Sequence, residues 1–153
     1  MRINKYRDQR ISEDYIDLYY KQETNEIKRI IDYVNSSIKI LGKNDDSHKM
    51  IKPQEIYYIE AVDKKVFAYL ESEVLQIDWN LQEIEESLGN KGIVRTSKST
   101  LVNIHHIENV KADINMRLCL TMENREKLVV NRTYKKLFMK YLKEMERRII
   151  YED

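Results

Sequence analysis

Two short clusters in the second half of the chain combine cationic side chains with hydroxyl and amide groups. The first runs from Arg95 to Ser99 (RTSKS), and the second runs from Asn131 to Lys136 (NRTYKK). Arg and Lys can donate hydrogen bonds to guanine edges and to phosphates, while Ser, Thr and Asn add phosphate contacts that fix register on a duplex. The alternative is turn chemistry, in which the polar groups bond to local backbone and the cations are solvated. The presence of two such clusters favours DNA binding.

The charge of the chain is divided unevenly along its length. Residues 1–90 carry 13 Lys and Arg against 18 Asp and Glu, a net charge of −5, whereas residues 91–153 carry 14 against 8, a net charge of +6. A face with several uncompensated cations is expected of a polyanion binder, because each neutralised phosphate releases condensed counterions. Surface charge also serves solubility, so this asymmetry supports DNA binding only together with the two clusters.

Side chains that could support catalysis or bind a metal do not occur in a suitable pattern. His105 and His106 are adjacent and would point to opposite faces of a strand, while His48 lies in a polar loop. The chain has no zinc-protease or phosphate-loop motif, and Cys119 has no second cysteine. The acidic run 83–86 is typical of the exposed face of a short helix. We therefore predict that the chain is not an enzyme and needs no metal or cofactor.

Length and hydropathy indicate one main domain without a membrane segment. A chain of 153 residues buries about two-thirds of its unfolded surface, enough for one domain and an accessory element. No run of 18 apolar residues is present, and the first residues lack the apolar segment of a signal peptide. A single cysteine cannot form an internal disulfide, which fits a reducing compartment. We therefore expect a cytoplasmic protein.

Alternating apolar and polar residues predict a succession of short strands. Segment 42–49 is predicted to be a loop or a boundary, and segments 62–65 and 123–126 are predicted to be turns. The predicted strands are Tyr15–Tyr20, Ile38–Leu41, Ile56–Val62, Val66–Glu71, Val74–Ile77, Asn115–Met122 and Lys127–Asn131. In the strand that contains Cys119, four residues are predicted to share one face: Met116, Leu118, Leu120 and Met122.

Three segments show helical periodicity instead. Segment 24–37 begins at Thr24, a candidate N-cap, and has apolar residues at i, i+3, i+4 and i+7. Segment 78–90 combines Asn80 and Glu83 as a capping pair with Gly89, which is placed to end the helix. Segment 133–148 is predicted to be a helix whose apolar stripe packs on the core. That stripe consists of Tyr134, Leu137, Phe138, Tyr141, Leu142 and Met145.

From about Ile38 to Leu142 the chain resembles the LytTR-type DNA-binding domains of bacterial transcription regulators. Four segments in this order carry the resemblance: IYYIEAVDKKVFAYL, NLQEIEESL, VRTSKSTLVNIHHIENV and LVVNRTYKKLFMKYL. It implies a mainly β (α+β) fold, an elongated stack of short antiparallel strands with a short helix and a C-terminal helix. It also implies sequence-specific binding of double-stranded DNA by loops that enter successive major grooves.

The resemblance places three loops of this chain against DNA. The turn with Lys64 and Lys65 corresponds to the first loop, and which of the two lysines contacts a base is left open. Ser97 stands where members commonly have a histidine, and its shorter side chain is expected to reach only a phosphate. In the second loop, Lys98 stands at the base-contacting position, with Arg95 and Ser99 beside it. In the third loop, Arg132 corresponds to the base-reading arginine, and the residues near it that are expected to contact phosphates are Thr133, Lys135 and Lys136. Val102 and Asn103 correspond to structural positions.

The N-terminal residues depart from many relatives, which carry a receiver domain. Residues 1–37 are too few for such a domain, so we predict a strand–helix extension there. This extension is expected to extend the domain or to form a dimer or partner contact. The DNA-binding domain is predicted over residues 38–147. The resemblance further implies paired direct repeats in the DNA, two copies of the chain bound to them, and a separate regulatory membrane protein.

A protein-interaction module without DNA binding is the alternative function. It would use exposed tyrosines as aromatic anchors, notably Tyr15, Tyr19, Tyr57 and Tyr69. Its binding would depend on salt far less than a DNA complex does.

Overall fold

The computed structural model describes residues 1–35 and 38–151, and the chain divides into two compact units, Met1–Ser37 and Ile38–Asp153. The helices are α1 (Asn25–Asn35), α2 (Leu81–Leu88) and α3 (Arg132–Tyr151). The strands are β1 (Ile40–Lys43), β2 (His48–Ile51), β3 (Tyr58–Val62), β4 (Lys65–Tyr69), β5 (Val74–Ile77), β6 (Ile93–Ser97), β7 (Thr100–Asn103), β8 (Ile107–Ala112), β9 (Leu118–Met122) and β10 (Lys127–Val130). Short 3-10 turns lie at Pro53–Glu55, Gly89–Lys91 and Ile104–His106.

The first unit contains α1 and no strand among its described residues. Thr24 caps α1 as predicted, because its Oγ1 accepts a hydrogen bond from the backbone N–H of Ile27 at 3.3 Å. Residues 36 and 37 of the predicted helical segment lie outside the described residues. The predicted strand Tyr15–Tyr20 is wrong: its residues pair with no other strand, and Tyr15 and Ile16 are both exposed. Alternation makes a strand only where a neighbouring strand completes its hydrogen bonds.

The second unit is built from two antiparallel sheets, as the mainly β prediction requires. The larger sheet has seven strands in the order β2-β1-β5-β4-β3-β7-β6, and the smaller sheet has three in the order β10-β9-β8. Every predicted strand from residue 38 onward is present, with ends that shift by a few residues. Consecutive strands are neighbours within β1-β2, β3-β4-β5, β6-β7 and β8-β9-β10, so the tight turns inside these groups lie at the two ends of the sheets.

Half of the segment 42–49 is strand, so its prediction as a loop holds only for residues 44–47. Gly42 and Lys43 complete β1, His48 and Lys49 open β2, and only residues 44–47 form the turn. A side chain at Gly42 would collide with the core, because a Cβ there would lie 2.5 Å from Ile51 Cδ1 and 2.9 Å from Leu75 Cβ. Glycine at position 42 therefore serves close packing within the sheet.

The larger sheet is buried on both faces in its β3-β7-β6 part. On β3 and β7, Ile59 and Leu101 face one hydrophobic cluster, while Tyr58 and Val102 face another. The first cluster includes Ile84 and Leu88 of α2. The second includes Leu118, Leu120 and Met122 of β9 together with Phe138 of α3. The sheet is thus held between α2 on one face and the small sheet with α3 on the other.

The helix α2 is capped as predicted at its start and differently at its end. Asn80 Oδ1 accepts from Glu83 N at 2.8 Å, and Asn80 Nδ2 donates to Glu83 Oε1 at 2.8 Å. The helix ends at Leu88, but Gly89 keeps right-handed helical angles and opens a 3-10 turn. The left-handed residue that turns the chain into β6 is Gly92, with φ +94°.

Two apolar residues of the predicted faces lie in solvent. Leu137 was predicted to belong to the stripe of α3 and is exposed, because it lies one residue, about 100°, around the helix from the buried Phe138. Met116 was predicted to face the core from a strand and is exposed, because it lies in the turn before β9 with φ 62°. Cys119 is half-buried, and its neighbours Leu118 and Leu120 are buried on the face that was predicted for them.

Candidate nucleic-acid interface

The β3–β4 turn is a two-residue hairpin loop with a left-handed backbone. Val62 pairs with Lys65, which leaves Asp63 and Lys64 as the loop, with φ values of 51° and 65°. Positive φ at both loop residues is typical of a type I′ turn, whose twist matches that of the flanking strands. Lys64 and Lys65 are exposed, so both predicted cations of the first loop lie at the tip.

The β6–β7 turn is a second two-residue loop. Ser97 pairs with Thr100, and a bulge between Arg95 and Ser97 shifts the register of β6. The Oγ of Ser97 accepts a hydrogen bond from the backbone N–H of Ser99 at 3.2 Å. Lys98 and Ser99 are exposed at the tip. The hydroxyl of Ser97 thus shapes the turn, and the ammonium group of Lys98 extends from it.

Arg95 is directed into the chain and joins this turn to α2. Its Nε and Nη2 donate to Glu85 Oε2 at 3.1 and 2.9 Å, and its Nη1 donates to the carbonyl of Lys98 at 2.8 Å. The side chain of Arg95 is only 15% exposed. Glu85 was predicted to belong to an exposed acidic helix face, whereas it is the partner of this arginine.

The third predicted loop, which contains the cluster from Asn131 to Lys136, lies where β10 leads into α3. The backbone N–H of Asn131 donates to the carbonyl of Thr96 at 2.9 Å, which ties this junction to the last residues of β6. The carbonyl of Asn131 accepts from the N–H of Tyr134 at 2.9 Å and supports the first turn of α3. The exposed residues of this junction include Arg132, Thr133 and Lys136, and Lys135 is half-buried.

Backbone pairing brings the three clusters to the same end of the second unit. Glu60 pairs with Thr100, and just beyond this pair the N–H of Ala61 donates to the carbonyl of Ser99 at 2.9 Å, so the β3–β4 and β6–β7 turns are neighbours. The bond from Asn131 to Thr96 adds the start of α3 on the other side of the β6–β7 turn. We name residues 63–65, 97–99 and 131–136 together the basic edge.

The cations of the basic edge are available to an anionic partner. Within the part of the chain that the structure describes, Lys64, Lys65, Lys98 and Arg132 form no ion pair. Asp63 is the one carboxylate within the edge as defined. Such an arrangement can bind phosphates by charge and can donate hydrogen bonds to base edges in a groove.

A fourth turn at this end was missed by sequence reasoning. Leu118 of β9 pairs with both Val130 of β10 and Ala112 of β8, so the β8–β9 turn, residues 113–117, reaches the level of the β10–α3 junction. The carboxylate of Asp113 accepts from the backbone N–H of Asn115 and from the guanidinium of Arg117, and these bonds lower the pKa of Asp113 below its ordinary value. The tetrapeptide DINM is a turn signal, and the alternation that follows it obscured it.

His106 packs against the segment that precedes β3. His105 and His106 lie on a 3-10 turn, which corrects their placement on opposite faces of a strand. His106 stacks on Tyr57 with ring centroids 4.1 Å apart, and its Nε2 lies 2.6 Å from the carbonyl of Gln54. Among residues 1–35 and 38–151, no three His, Cys, Asp or Glu residues are grouped to hold a metal ion.

The structural positions of the signature behave as the resemblance implies. Val102 and Asn103 are buried, and the amide of Asn103 donates to the carbonyl of Ile56 at 2.9 Å while its Oδ1 accepts from the N–H of His105 at 3.1 Å. Asn103 therefore fixes the end of β7 against the segment that precedes β3.

None of the described helices is long and apolar enough to span a membrane.

Comparison with known proteins identifies the family. The family model described as the LytTr DNA-binding domain matches residues 46–143. The chain belongs to the LytTr DNA-binding domain family. It is similar to a solved LytTr DNA-binding domain of a Bacillus cereus protein described as a methyl-accepting/DNA response regulator, at 29% identity and a TM-score of 0.65, over 68% of this chain and 95% of that one. The family is a DNA-binding domain and not a class of enzyme.

Curated relatives extend the similarity beyond the matched domain. An uncharacterized HTH-type transcriptional regulator of Staphylococcus aureus (strain MSSA476) is 24% identical over 139 residues, which are 89% of this chain and 94% of that protein. The sensory transduction protein LytT of Enterococcus faecalis (strain ATCC 700802 / V583) is 24% identical over 108 residues, which are 71% of this chain and 44% of that protein. In the described part of this LytTr chain α2 leads into β6, so no helix-turn-helix is formed there.

Proposed function

We propose that this LytTr protein is a bacterial transcription regulator that binds double-stranded DNA sequence-specifically through the basic edge. Lys98 and Arg132 contact bases in this proposal, and Lys64 or Lys65 does so from the first turn. Ser97, Ser99, Thr133, Lys135 and Lys136 contact phosphates. The observation that carries the proposal is the backbone link from Ala61 to Ser99 and from Asn131 to Thr96, which brings three separate polar clusters together.

Base contacts and phosphate contacts are assigned to different residues of the basic edge. Lys98 and Arg132 extend from rigid hydrogen-bonded junctions, which suits side chains that must meet a base edge with fixed geometry. Lys136 is exposed and Lys135 half-buried on the first turns of α3, where ammonium groups act as point charges toward phosphates. Arg95 contributes indirectly in this assignment, since its guanidinium holds the carbonyl of Lys98.

The change Arg132→Ala tests base reading directly. We expect it to cost about 1 to 3 kcal/mol of binding to a duplex selected from a random library by the unaltered protein, and to relax the preference at one base pair. Binding to a shuffled duplex should weaken much less. The measurement is fluorescence anisotropy on both duplexes at two salt concentrations.

Two further variants calibrate that result. Lys136→Ala should weaken binding to both duplexes alike and reduce the salt slope by about one, because it removes a phosphate contact. Lys127→Ala removes an exposed cation at the far end of β10 and should leave both affinities near those of the unaltered protein. Equal losses for Arg132→Ala on both duplexes would show that Arg132 reads no base.

The alternative function, protein interaction through exposed tyrosines, retains only part of its anchors. Tyr15 and Tyr19 are 71% and 90% exposed in the first unit. Tyr57 is buried, and Tyr69 stacks on Tyr58 with ring centroids 4.2 Å apart, so neither is an exposed anchor. Burial raises the pKa of Tyr57 and Tyr69 above the ordinary tyrosine value. Salt dependence separates the two functions, since an aromatic contact responds little to ionic strength.

The remaining proposals rest partly on the family resemblance, which implies paired binding, and partly on the residue patterns of the chain. Two copies of the chain bind paired direct repeats, residues 1–37 contribute a dimer or partner contact, and the protein acts in the cytoplasm without catalytic activity. The regulatory membrane protein stays a prediction.

A further inference from the structure

The β8–β9 turn presents an apolar side chain to solvent beside the basic edge. Ile114 is 99% exposed at the tip of this turn, and Met116 is 60% exposed two residues later. An isoleucine in water gives up the free energy that its burial would provide, and surface turns are ordinarily polar. The side chain makes no contribution to either hydrophobic cluster of the fold.

The turn is held in one conformation by its own polar groups. The N–H of Asp113 donates to the carbonyl of Arg117 at 3.0 Å, and the N–H of Met116 donates to the carbonyl of Asp113 at 3.3 Å. The guanidinium of Arg117 donates to Asp113 Oδ2 through Nη2 at 2.8 Å and through Nε at 3.1 Å. Ile114 is therefore carried outward by a closed turn, and its position is defined before any partner binds.

The turn also lies beside the start of α3. Val130, the last residue before the β10–α3 junction, pairs with Leu118, the first residue of β9, and Lys135 of α3 acts electrostatically on Asp113. The carboxylate of Asp113 is compensated by Arg117, so it presents little repulsion to phosphates. Lys111 is exposed on the strand that leads into the turn.

We propose that the β8–β9 turn is a fourth DNA-contacting segment, in which Ile114 makes an apolar contact with the bases. This inference rests on the proposed function. Two apolar surfaces of DNA can receive such a side chain: the methyl group of thymine in the major groove, and the face of a base exposed at an unstacked step. In both cases the contact adds sequence preference without adding charge.

The test compares Ile114→Ala with the unaltered full-length chain on the selected and shuffled duplexes. We expect about tenfold weaker binding to the selected duplex, from the loss of one buried apolar side chain, with the salt slope unchanged because no charge is removed. Val74→Ala is the matched control: Val74 is 45% exposed on β5 at the opposite end of the sheet, and its change should leave both affinities unaltered. The thermal midpoint of Ile114→Ala should match that of the unaltered chain.

Two further measurements identify the apolar surface. Thymines of the selected duplex are replaced by uracil one at a time, which removes one methyl group in each duplex. If Ile114 contacts a methyl group, replacement at one position should weaken binding of the unaltered chain and leave binding of Ile114→Ala unchanged. Loss of DNA bending in the variant, measured by energy transfer between the duplex ends, would instead identify a base step. The inference is overturned if Ile114→Ala binds the selected duplex as the unaltered chain does. Failure of the unaltered chain to bind any duplex would instead overturn the proposed function.

Discussion

Arg95 lies in a predicted DNA-binding cluster, but its guanidinium bonds to groups of the chain itself. Sequence reasoning groups it with Lys98, since both lie in one polar cluster. In the fold, Arg95 has all of its described hydrogen bonds within the chain, to Glu85 and to the carbonyl of Lys98. We infer that it positions Lys98 and does not itself reach the duplex. Lysine could not replace it, because a single ammonium lacks the planar fork that bonds to both partners.

The change Glu85→Gln separates a positioning role of Arg95 from a direct contact. If Arg95 positions the turn, we expect the ratio of affinities for selected and shuffled DNA to fall, and the free energy of unfolding to drop by about 1 kcal/mol. Glu86→Gln is the control, because it removes the same charge from α2 at an exposed residue whose side chain bonds to Gln82 and not to Arg95. A ratio that rises in Glu85→Gln, where the guanidinium is released, would mean that Arg95 touches DNA.

Among the elements, the β3–β4 hairpin carries a conformational cost at its tip. Asp63 and Lys64 both have positive φ, a region that aspartate tolerates but in which lysine is strained. Asn-Gly would suit the same two positions better. The chain keeps a lysine instead, which fits a loop whose exposed cation is needed by a partner.

The change Lys64→Gly should therefore affect stability and DNA affinity in opposite directions. We expect the free energy of unfolding to rise by about 1 kcal/mol, because glycine adopts positive φ without the Cβ clash. Affinity for all duplexes should fall, with a smaller salt slope, because a cation is lost. Chemical denaturation and anisotropy measure the two quantities.

The β9–β10 turn supplies a matched control for that change. Arg125 has φ 74° and lies at the opposite end of the small sheet, where its guanidinium bonds to the carboxylate of Glu108. Arg125→Gly should relieve a similar backbone strain, reduced by the loss of an exposed ion pair, and leave DNA affinity unchanged. Loss of DNA affinity in Arg125→Gly comparable with that in Lys64→Gly would remove the basic edge as the explanation.

Over the second unit, the antiparallel zigzag sorts the turns into two sets. The β3–β4, β6–β7 and β8–β9 turns and the start of α3 collect at one end, and the β4–β5 and β9–β10 turns collect at the other. The end with the basic edge holds most of the unpaired cations that sequence reasoning singled out. A net charge of only +1 for the chain is therefore compatible with a surface that binds a polyanion.

The proposal of two copies on paired repeats makes a stoichiometric prediction. We expect two chains per duplex that carries both repeats and one chain per duplex in which one repeat is shuffled, measured by sedimentation of the complexes. Moving the repeats apart by half a helical turn, about 5 base pairs, should weaken the second binding step, because the two chains then lie on opposite faces of the duplex. Two chains bound to a single repeat would contradict the proposal.

Local patterns in the sequence were sufficient for most of the elements. Strand β5 matches its predicted range, Asn80 and Glu83 cap α2, and the turn at 62–65 closes as predicted. These features depend on residues within about four positions of each other, through side-chain periodicity, capping and turn chemistry. The family resemblance and the three polar clusters could likewise be identified from residue types alone.

Tertiary structure decided which of these residues meet. Ala61 and Ser99 are 38 positions apart and Thr96 and Asn131 are 35 apart, and only strand pairing makes them neighbours. Strand pairing likewise places the β8–β9 turn at the level of the β10–α3 junction, and packing of α2 beside β6 places Glu85 next to Arg95. Tyr15–Tyr20 form no strand, because they have no partner strand. Periodicity reports whether a residue has a buried side, but the partner on that side depends on packing among elements that are distant along the chain.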